Sequence, residues 1–90
     1  MPSVNFTYAL KRFFPDLREI DLKAESLSDL LAQLEKKHPG LRAYVLDEQG
    51  RLRRHVNIFI DGELIADRDA LTDPFRPDSE IYIMQALSGG

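Results

Sequence analysis

Four residues near the end of the sequence, Leu87, Ser88, Gly89 and Gly90, offer its most distinctive chemistry. Glycine has no Cβ, so this backbone fits a slot too narrow for any side chain and adopts positive φ angles freely. A free terminal carboxylate has a pKa of about 3.5, so it is an anion at neutral pH and needs activation before a nucleophile can attack it. We therefore expect a flexible tail over residues 87–90, about 14 Å long when extended. The alternative is a small polar terminus without a role.

The rest of the chain offers little catalytic equipment. It has no cysteine, which excludes a thiolate nucleophile, a thiolate metal site and a disulfide. His38 and His55 lack the spacing of a zinc site, and the aspartates at 67, 69, 73 and 78 lack that of a calcium loop. No serine lies in a nucleophile elbow and no glycine-rich loop precedes a helix. We expect no catalytic residue, no metal and no cofactor, and hence no enzyme activity of its own.

Composition narrows the class of partner. Ninety residues suit one domain, and a net charge of −3 argues against nucleic acid. The first residues have neither the basic nor the apolar region of a signal peptide. No apolar run approaches the ~20 residues that span a bilayer. We expect a cytoplasmic protein with neither a nucleic-acid nor a membrane partner.

The first part of the chain predicts a β-hairpin. Residues 4–10 alternate apolar and polar types, which predicts a strand with Val4, Phe6 and Tyr8 on one face. Residues 11–16 contain Pro15 and are predicted to form a loop. Residues 18–23 alternate again and predict a second strand.

A helix is predicted over residues 26–38. Ser26 is a favourable N-cap, and Asp29 approximates a capping box. Pro39 and Gly40 end the helix. Its apolar stripe has helical spacing and consists of Leu27, Leu30, Leu31 and Leu34. Residues 41–46 fit either a short helix or irregular chain.

The second half of the chain predicts three strands. Residues 52–60 form one, Asp61 and Gly62 form a tight hairpin turn, and residues 63–65 return as a short strand. Residues 67–79 are a polar loop, and residues 80–86 are the last strand. The chain is therefore predicted to be α+β, with a mixed sheet of four to five strands and one main helix packed on one face. If the first and last strands are parallel, the helix lies in the crossover between them.

This order of elements, with Gly89 and Gly90 at the end, resembles the ubiquitin-like β-grasp proteins and, within them, the MoaD/ThiS family of sulfur carriers. The resemblance covers most of the chain. It rests on the helix at residues 26–34, the hairpin at residues 56–63 and the approach to the last strand at residues 77–81. The diglycine is its specific part. The resemblance implies a β-grasp domain over residues 1–86 and a tail over residues 87–90.

Two departures from the family pattern concern the branch. Residues 39–51 are longer than in the smallest members, a form similar to the branch often called CysO, which donates sulfur in cysteine biosynthesis. Gln85 and Ala86 stand where many members carry prolines.

The resemblance implies a chemical role for Gly90. A ubiquitin-activating-like adenylating enzyme uses ATP to form an acyl-adenylate there, and sulfur from another protein then gives a thiocarboxylate. That group donates sulfur in a biosynthetic pathway, such as those of cysteine, thiamin or molybdopterin. The alternatives are a ubiquitin-like covalent protein modifier, the small subunit of molybdopterin synthase, or an interaction domain with an incidental diglycine. The implied partners also include a cysteine desulfurase or rhodanese, a sulfur-accepting biosynthetic enzyme and a metal-dependent peptidase.

Two surface features have a possible binding role. Phe59, Tyr82 and Met84 are expected to face away from the helix, with Leu87 beside them, and together to form a partner-binding surface. A shift of one residue in register turns these side chains inward. The second feature is a basic cluster at residues 51 and 53–55. We interpret it as the solvated start of a strand that also discourages edge pairing, with an acidic partner or a phosphate as the alternative.

Overall fold

The fold was analysed in a computed structural model that describes residues 1–85. Ala86 and the predicted tail residues Leu87, Ser88, Gly89 and Gly90 lie outside the described residues. Three helices and five strands are present in residues 1–85. In chain order they are β1 (Ser3–Phe6), α1 (Tyr8–Phe13), β2 (Ile20–Asp21), α2 (Leu27–Lys37), α3 (Leu41–Val45), β3 (Val56–Ile60), β4 (Glu63–Leu64) and β5 (Glu80–Gln85).

All five strands join one mixed sheet in the order β2-β1-β5-β3-β4. The central strand β5 runs parallel to β1 and antiparallel to β3. β2 pairs with β1 and β4 with β3, both antiparallel. The predicted α+β class and β-grasp architecture are thus confirmed. The first two strands pair antiparallel as predicted, although helix α1 lies in their connection, and the first and last strands are parallel, which the sequence left open. This topology places the end of the last strand, which leads toward Gly90, in the middle of the sheet.

Helix α2 forms because its N-terminus is capped and one of its faces is apolar. The Asp29 N–H donates to Ser26 Oγ at 3.0 Å, and the Asp29 carboxylate accepts from the Glu25 N–H at 3.2 Å. The acidic side chain thus bonds one residue before the N-cap, whereas a capping box returns to the N-cap itself. The four leucines of the predicted stripe are all buried in a core shared with Ile58, Ile81 and other residues of the sheet.

The predicted first strand is wrong beyond Phe6. Tyr8 begins helix α1 and is 78% exposed, so it does not share a face with Val4 and Phe6. α1 instead buries Ala9 and Leu10, a pair that helical geometry can direct to one side. The predicted loop at residues 11–16 is correspondingly wrong over its first three residues, which are helical.

The predicted strands at residues 18–23, 52–60 and 63–65 are shorter in the structure. β2 covers only Ile20–Asp21, although Leu22 beyond it is buried. β3 begins at Val56, so residues 53–55 are not part of the strand, and Leu52 makes a single isolated bridge to Leu46. Residues 41–46, which the sequence left ambiguous, include helix α3. None of the helices in residues 1–85 combines the length and hydropathy that crossing a membrane requires.

The β3–β4 turn is the predicted Asp61-Gly62 turn, and it also anchors the start of β5. Both residues have positive φ, 51° at Asp61 and 84° at Gly62, which suits a two-residue hairpin. The Asp61 carboxylate accepts from the Glu80 N–H at 2.9 Å and from the Ser79 hydroxyl at 2.8 Å. These hydrogen bonds, the one from Glu80 first, lower the pKa of Asp61. The turn thereby fixes where the strand that carries the tail begins.

Asp67 organises the loop between β4 and β5. Its carboxylate accepts hydrogen bonds from the N–H groups of Asp69, Ala70 and Thr72, and from the Thr72 hydroxyl. These bonds, with the Ala70 N–H contributing most, lower the Asp67 pKa from its ordinary 3.8 to about 2. The ionised carboxylate is therefore the form that stabilises the loop.

We expect Asp67 to contribute to the acid sensitivity of the fold. Because its folded-state pKa is depressed, its contribution is full above about pH 4 and is lost as the pH falls toward about 2. Asp67→Asn should therefore lower the urea midpoint at pH 7, and its difference from the wild type should shrink as the pH approaches 2. Asp69→Asn is the control, because it removes a charge from the same loop but leaves all four donors bound; its midpoint at pH 7 should stay at the wild-type value. An undiminished Asp67→Asn deficit at pH 2 contradicts the assignment.

Candidate functional site: the outer face of the sheet and the root of the tail

The last described residue of β5, Gln85, is held from both sides. Its N–H donates to Thr7 Oγ1 at 3.1 Å, and it pairs with Val56 of β3. The Thr7 N–H in turn donates to the Ile83 carbonyl at 3.1 Å. Proline at position 85 would lack the N–H that Thr7 accepts, which gives this departure from the family pattern a structural role. The root of the tail is thus fixed at the centre of the sheet.

The outer face of the sheet carries the predicted partner-binding residues of the described region. Ile81 and Ile83 are buried at 1% and 0% exposure, so the alternate residues Tyr82 and Met84 lie on the opposite face. Tyr82 is 39% exposed, whereas Met84 is half-buried. The strand alternation and facing drawn from the sequence therefore hold in β5. Leu87, the remaining member of the predicted surface, lies outside the described residues.

Strand register places Tyr82 and Phe59 in one row across the outer face and Met84 in the adjacent row. Tyr82 lies between Asn5 of β1 and Phe59 of β3, and Phe59 lies opposite Leu64 of β4. Leu64 is 53% exposed and Phe59 is half-buried. A cleft of about 270 Å³ lies beside the Tyr82–Phe59 pair. The row can therefore offer apolar contact area to a partner that approaches β5.

Leu64 is the candidate that sequence reasoning missed. The signal was available, because a two-residue turn at Asp61-Gly62 places residue 64 directly opposite residue 59. We name the apolar set of Phe59, Leu64, Tyr82 and Met84 the outer-face patch.

Next to the root of the tail, the predicted basic cluster is irregular chain. Arg68 holds it in place: its Nη2 donates to the carbonyls of Arg53 at 2.6 Å and Val56 at 2.8 Å, and its Nη1 donates to Asn57 Oδ1 at 2.9 Å. Arg51 pairs with Asp47, with 3.3 Å between Nε and Oδ2. The cluster is therefore not the solvated start of a strand, because β3 starts only at Val56.

An aromatic cluster supports this end of the sheet. The Tyr44 ring of α3 lies 5.2 Å from the ring of Phe13 and 5.8 Å from that of Phe14, centroid to centroid. On its other side, the Tyr44 ring meets His55 edge-on at 6.3 Å. These contacts connect α1, α3 and the residues that lead into β3.

No group of three or more histidine, aspartate or glutamate side chains within residues 1–85 is arranged to hold a metal ion. The thiocarboxylate site predicted at Gly90, with Ser88 and Gly89 before it, lies outside the described residues. What the structure describes is the surface around Gln85, the last described residue of β5.

Comparisons with known proteins place this arrangement in a family. Residues 11–90 match the profile of the ThiS family. No curated protein matches the sequence significantly. Similar solved structures include the Amycolatopsis orientalis BexX/CysO complex, with a TM-score of 0.82, 18% identity and 100% of both chains covered. Mycobacterium tuberculosis CysO, described as an antigen, has a TM-score of 0.80 and 19% identity over 97% of this chain and 100% of that one.

A third similar structure is the small archaeal modifier protein 1 of Methanosarcina acetivorans. Its TM-score is 0.78, with 25% identity over 99% of this chain and 95% of that one. Because the family match spans residues 11–90, the chain belongs to the ThiS family and has its ubiquitin-like, β-grasp sulfur carrier or modifier fold.

Proposed function

We propose that the protein is a cytoplasmic sulfur carrier whose Gly90 carboxylate is adenylated and then converted to a thiocarboxylate. The main support for this proposal is the ThiS-family match, which includes Gly89 and Gly90. The body, residues 1–86, presents the tail of residues 87–90 to its partners. The partners supply the catalytic groups, so the chain acts as substrate and carrier.

The chemistry needs two steps at one carbon. A carboxylate oxygen of Gly90 attacks the α-phosphorus of ATP on an adenylating enzyme, and pyrophosphate leaves. The terminal sulfur of a persulfide on a donor protein, such as a cysteine desulfurase or rhodanese, then attacks the acyl carbon, and AMP leaves with the electrons of the C–O bond. A thiol reduces the S–S bond of the resulting acyl disulfide, which leaves the thiocarboxylate on Gly90 and a disulfide between the donor cysteine and that thiol. A chain without cysteine can carry sulfur in this way because the sulfur is bonded to the main chain.

A covalent protein modifier is the second candidate. The 25% identity to a protein named small archaeal modifier protein 1 favours it. Both candidates begin with the same adenylate on Gly90. In the modifier, the amine of a target lysine attacks the acyl carbon, loses a proton and forms an isopeptide bond, while AMP leaves with the electrons of the C–O bond. The two functions therefore diverge only after activation.

Intact-mass measurement tests the proposal. The chain is incubated with Mg-ATP, the cognate adenylating enzyme, a cysteine desulfurase, cysteine and a thiol reductant. Replacement of one oxygen by sulfur, an increase of about 16 Da, supports the carrier; a mixture that lacks ATP is the control. Conjugates heavier by a whole protein support the modifier. An unchanged mass, with no transient AMP adduct, contradicts both.

The outer-face patch is proposed to dock the adenylating enzyme. It is apolar, and β5, its central strand, leads directly to the tail. An adenylating enzyme that binds the patch would hold the tail near the ATP in its active site. Leu87, the next apolar residue along the chain, would extend the contact.

We expect Met84→Glu to lower kcat/KM for adenylation about tenfold while the fold is kept. The half-buried methionine faces outward, so a carboxylate there can reach water in the free protein but is desolvated against an apolar partner. Steady-state pyrophosphate release with varied carrier concentration provides the measurement. Ser28→Glu, which adds the same charge on an exposed position of α2, is the matched control and should behave as wild type. Unchanged adenylation by Met84→Glu would remove the patch from the docking surface.

A further inference from the structure

The two ends of the sheet carry opposite charge. β5 begins at Glu80, which lies beside Ser3 of β1, and Ser3 in turn lies beside Asp21 of β2. The Glu80 N–H donates to the Asp61 carboxylate. Glu63 begins β4 just after the adjacent turn. That end of the sheet is mainly acidic, with Arg76 paired to Asp61.

At the other end, where β5 finishes at Gln85, the neighbouring segments are mainly basic, although two aspartates line the cleft beside them. Arg53 and Arg54 lie three and two positions before Val56, the partner of Gln85. Lys11 and Arg12 lie in the last turn of α1, the helix that follows Thr7, whose side chain binds the Gln85 N–H. We name Lys11, Arg12, Arg53 and Arg54 the basic rim.

The rim residues are available to a partner to different degrees. Arg12 and Arg54 are exposed and form neither an ion pair nor a side-chain hydrogen bond with any residue from 1 to 85. Lys11 and Arg53 are half-buried, and Arg53 Nε donates to the Ala43 carbonyl at 3.0 Å. Arg68 fixes the backbone of this stretch through the carbonyls on either side of Arg54 and His55. The backbone beneath Arg53 and Arg54 is therefore held in place, and the guanidinium groups of Arg12 and Arg54 are available to bind a partner.

A protein surface suits the rim better than a nucleic acid does. The whole chain has a net charge of −3, and its acidic end would be repelled by an extended polyanion. A compact acidic surface, in contrast, would attract the basic end and repel the acidic end at the same time. Such a charge distribution turns the molecule during approach, so that the root of the tail faces the partner first.

We propose that the basic rim docks an acidic surface of the adenylating enzyme and orients the tail toward its nucleotide. The inference rests on the proposed function. It adds an electrostatic contact with the adenylating enzyme to the apolar contact proposed for the outer-face patch. Because the rim acts during encounter, it governs kcat/KM and leaves kcat unchanged.

Charge reversal at the exposed rim residue tests the proposal. Arg54→Glu should lower kcat/KM for adenylation about tenfold at about 0.05 M NaCl, Arg54→Gln should fall between it and the wild type, and kcat should be unchanged in both. The difference from the wild type should nearly vanish at about 1 M NaCl, where the Debye length is about 3 Å. Lys23→Glu, the same reversal at an exposed position beyond β2, is the matched control and should behave as wild type. Circular dichroism checks that all variants are folded.

The outcomes separate the rim from the function. If the wild type is adenylated and Arg54→Glu has the same kcat/KM, the proposal about the rim is wrong but the proposed function stands. The same holds if Lys23→Glu loses as much kcat/KM as Arg54→Glu. Absence of wild-type adenylation at any salt concentration overturns the proposed function and the rim with it. Tight binding of a fluorescent single-stranded RNA that is lost in Arg54→Glu, with adenylation unaffected, reassigns the rim to nucleic acid and overturns the proposal.

Discussion

Deletion of Gly90 is expected to abolish both AMP-adduct and thiocarboxylate formation while leaving the thermal unfolding midpoint unchanged. The deletion moves the terminal carboxylate back by one residue, about 3.5 Å along an extended chain, and so out of reach of a nucleotide positioned for the full tail. Such a displacement of a reacting atom costs at least about 100-fold in rate. The fold should persist because the last described hydrogen bonds of β5 are made at Gln85, five positions before Gly90. Intact mass and differential scanning calorimetry provide the two readouts.

Two matched variants sharpen this experiment. Addition of one alanine after Gly90 should be equally inactive, because it converts the Gly90 carboxylate into an amide. Ser88→Ala keeps both glycines and the position of the carboxylate, and it should remain active. A Gly90 deletion that still acquires sulfur at the wild-type rate would show that the reactive centre lies elsewhere.

Arg68→Met is expected to destabilise the protein by about 2–3 kcal/mol. The guanidinium makes three hydrogen bonds, two of them to backbone carbonyls, in a partly buried position. Methionine keeps much of the volume but leaves those acceptors without their charged donor. Urea denaturation measures the loss, and hydrogen exchange should show earlier opening at the start of β3, at Val56.

Lysine and a neighbouring arginine serve as controls for Arg68. Arg68→Lys should recover little of the loss, because a single ammonium group cannot reproduce the fork that reaches both Asn57 and the backbone. Arg54→Met, the same substitution at an exposed position, should change stability by less than about 0.5 kcal/mol. Equal effects at positions 54 and 68 would contradict a structural role specific to Arg68.

The sequence was sufficient where local signals agree with the fold. Helix α2 combines a capping serine, a leucine stripe and a terminal Pro-Gly pair. The structure shows the cap and the burial of the stripe, and the helix ends at Lys37, before the Pro-Gly pair. The Asp61-Gly62 turn fixes the register of its hairpin in the same local way. These elements, with the diglycine, were enough to indicate the family.

Local patterns failed where distant contacts decide the structure. Residues 4–10 alternate as a strand would, but the burial of Ala9 and Leu10 makes the segment from Tyr8 helical. Residues 52–55 look like the start of β3, yet Arg68, distant in sequence, binds the carbonyl of Arg53. No local pattern predicts such a hydrogen bond, because it depends on how the β4–β5 loop folds back.

The candidate site was only partly predictable for the same reason. Alternation placed Phe59, Tyr82 and Met84 on the outer face, and the structure agrees. It could not show that Tyr82 is the more exposed of the β5 pair, nor that Lys11 and Arg12 lie near the end of β5. The position of Lys11 and Arg12 follows from Thr7, the N-cap of α1, which makes hydrogen bonds to Ile83 and Gln85 of β5.

The central position of β5 has a mechanical consequence for a force applied through the end of the chain. A pull applied through Gly90 acts along a strand that is bonded to β1 on one side and β3 on the other. The load falls on both ladders at once, in shear, so no single pair at an edge can be peeled open first. A partner that pulls on the end of the chain would therefore meet the greatest resistance to unfolding along the direction of β5.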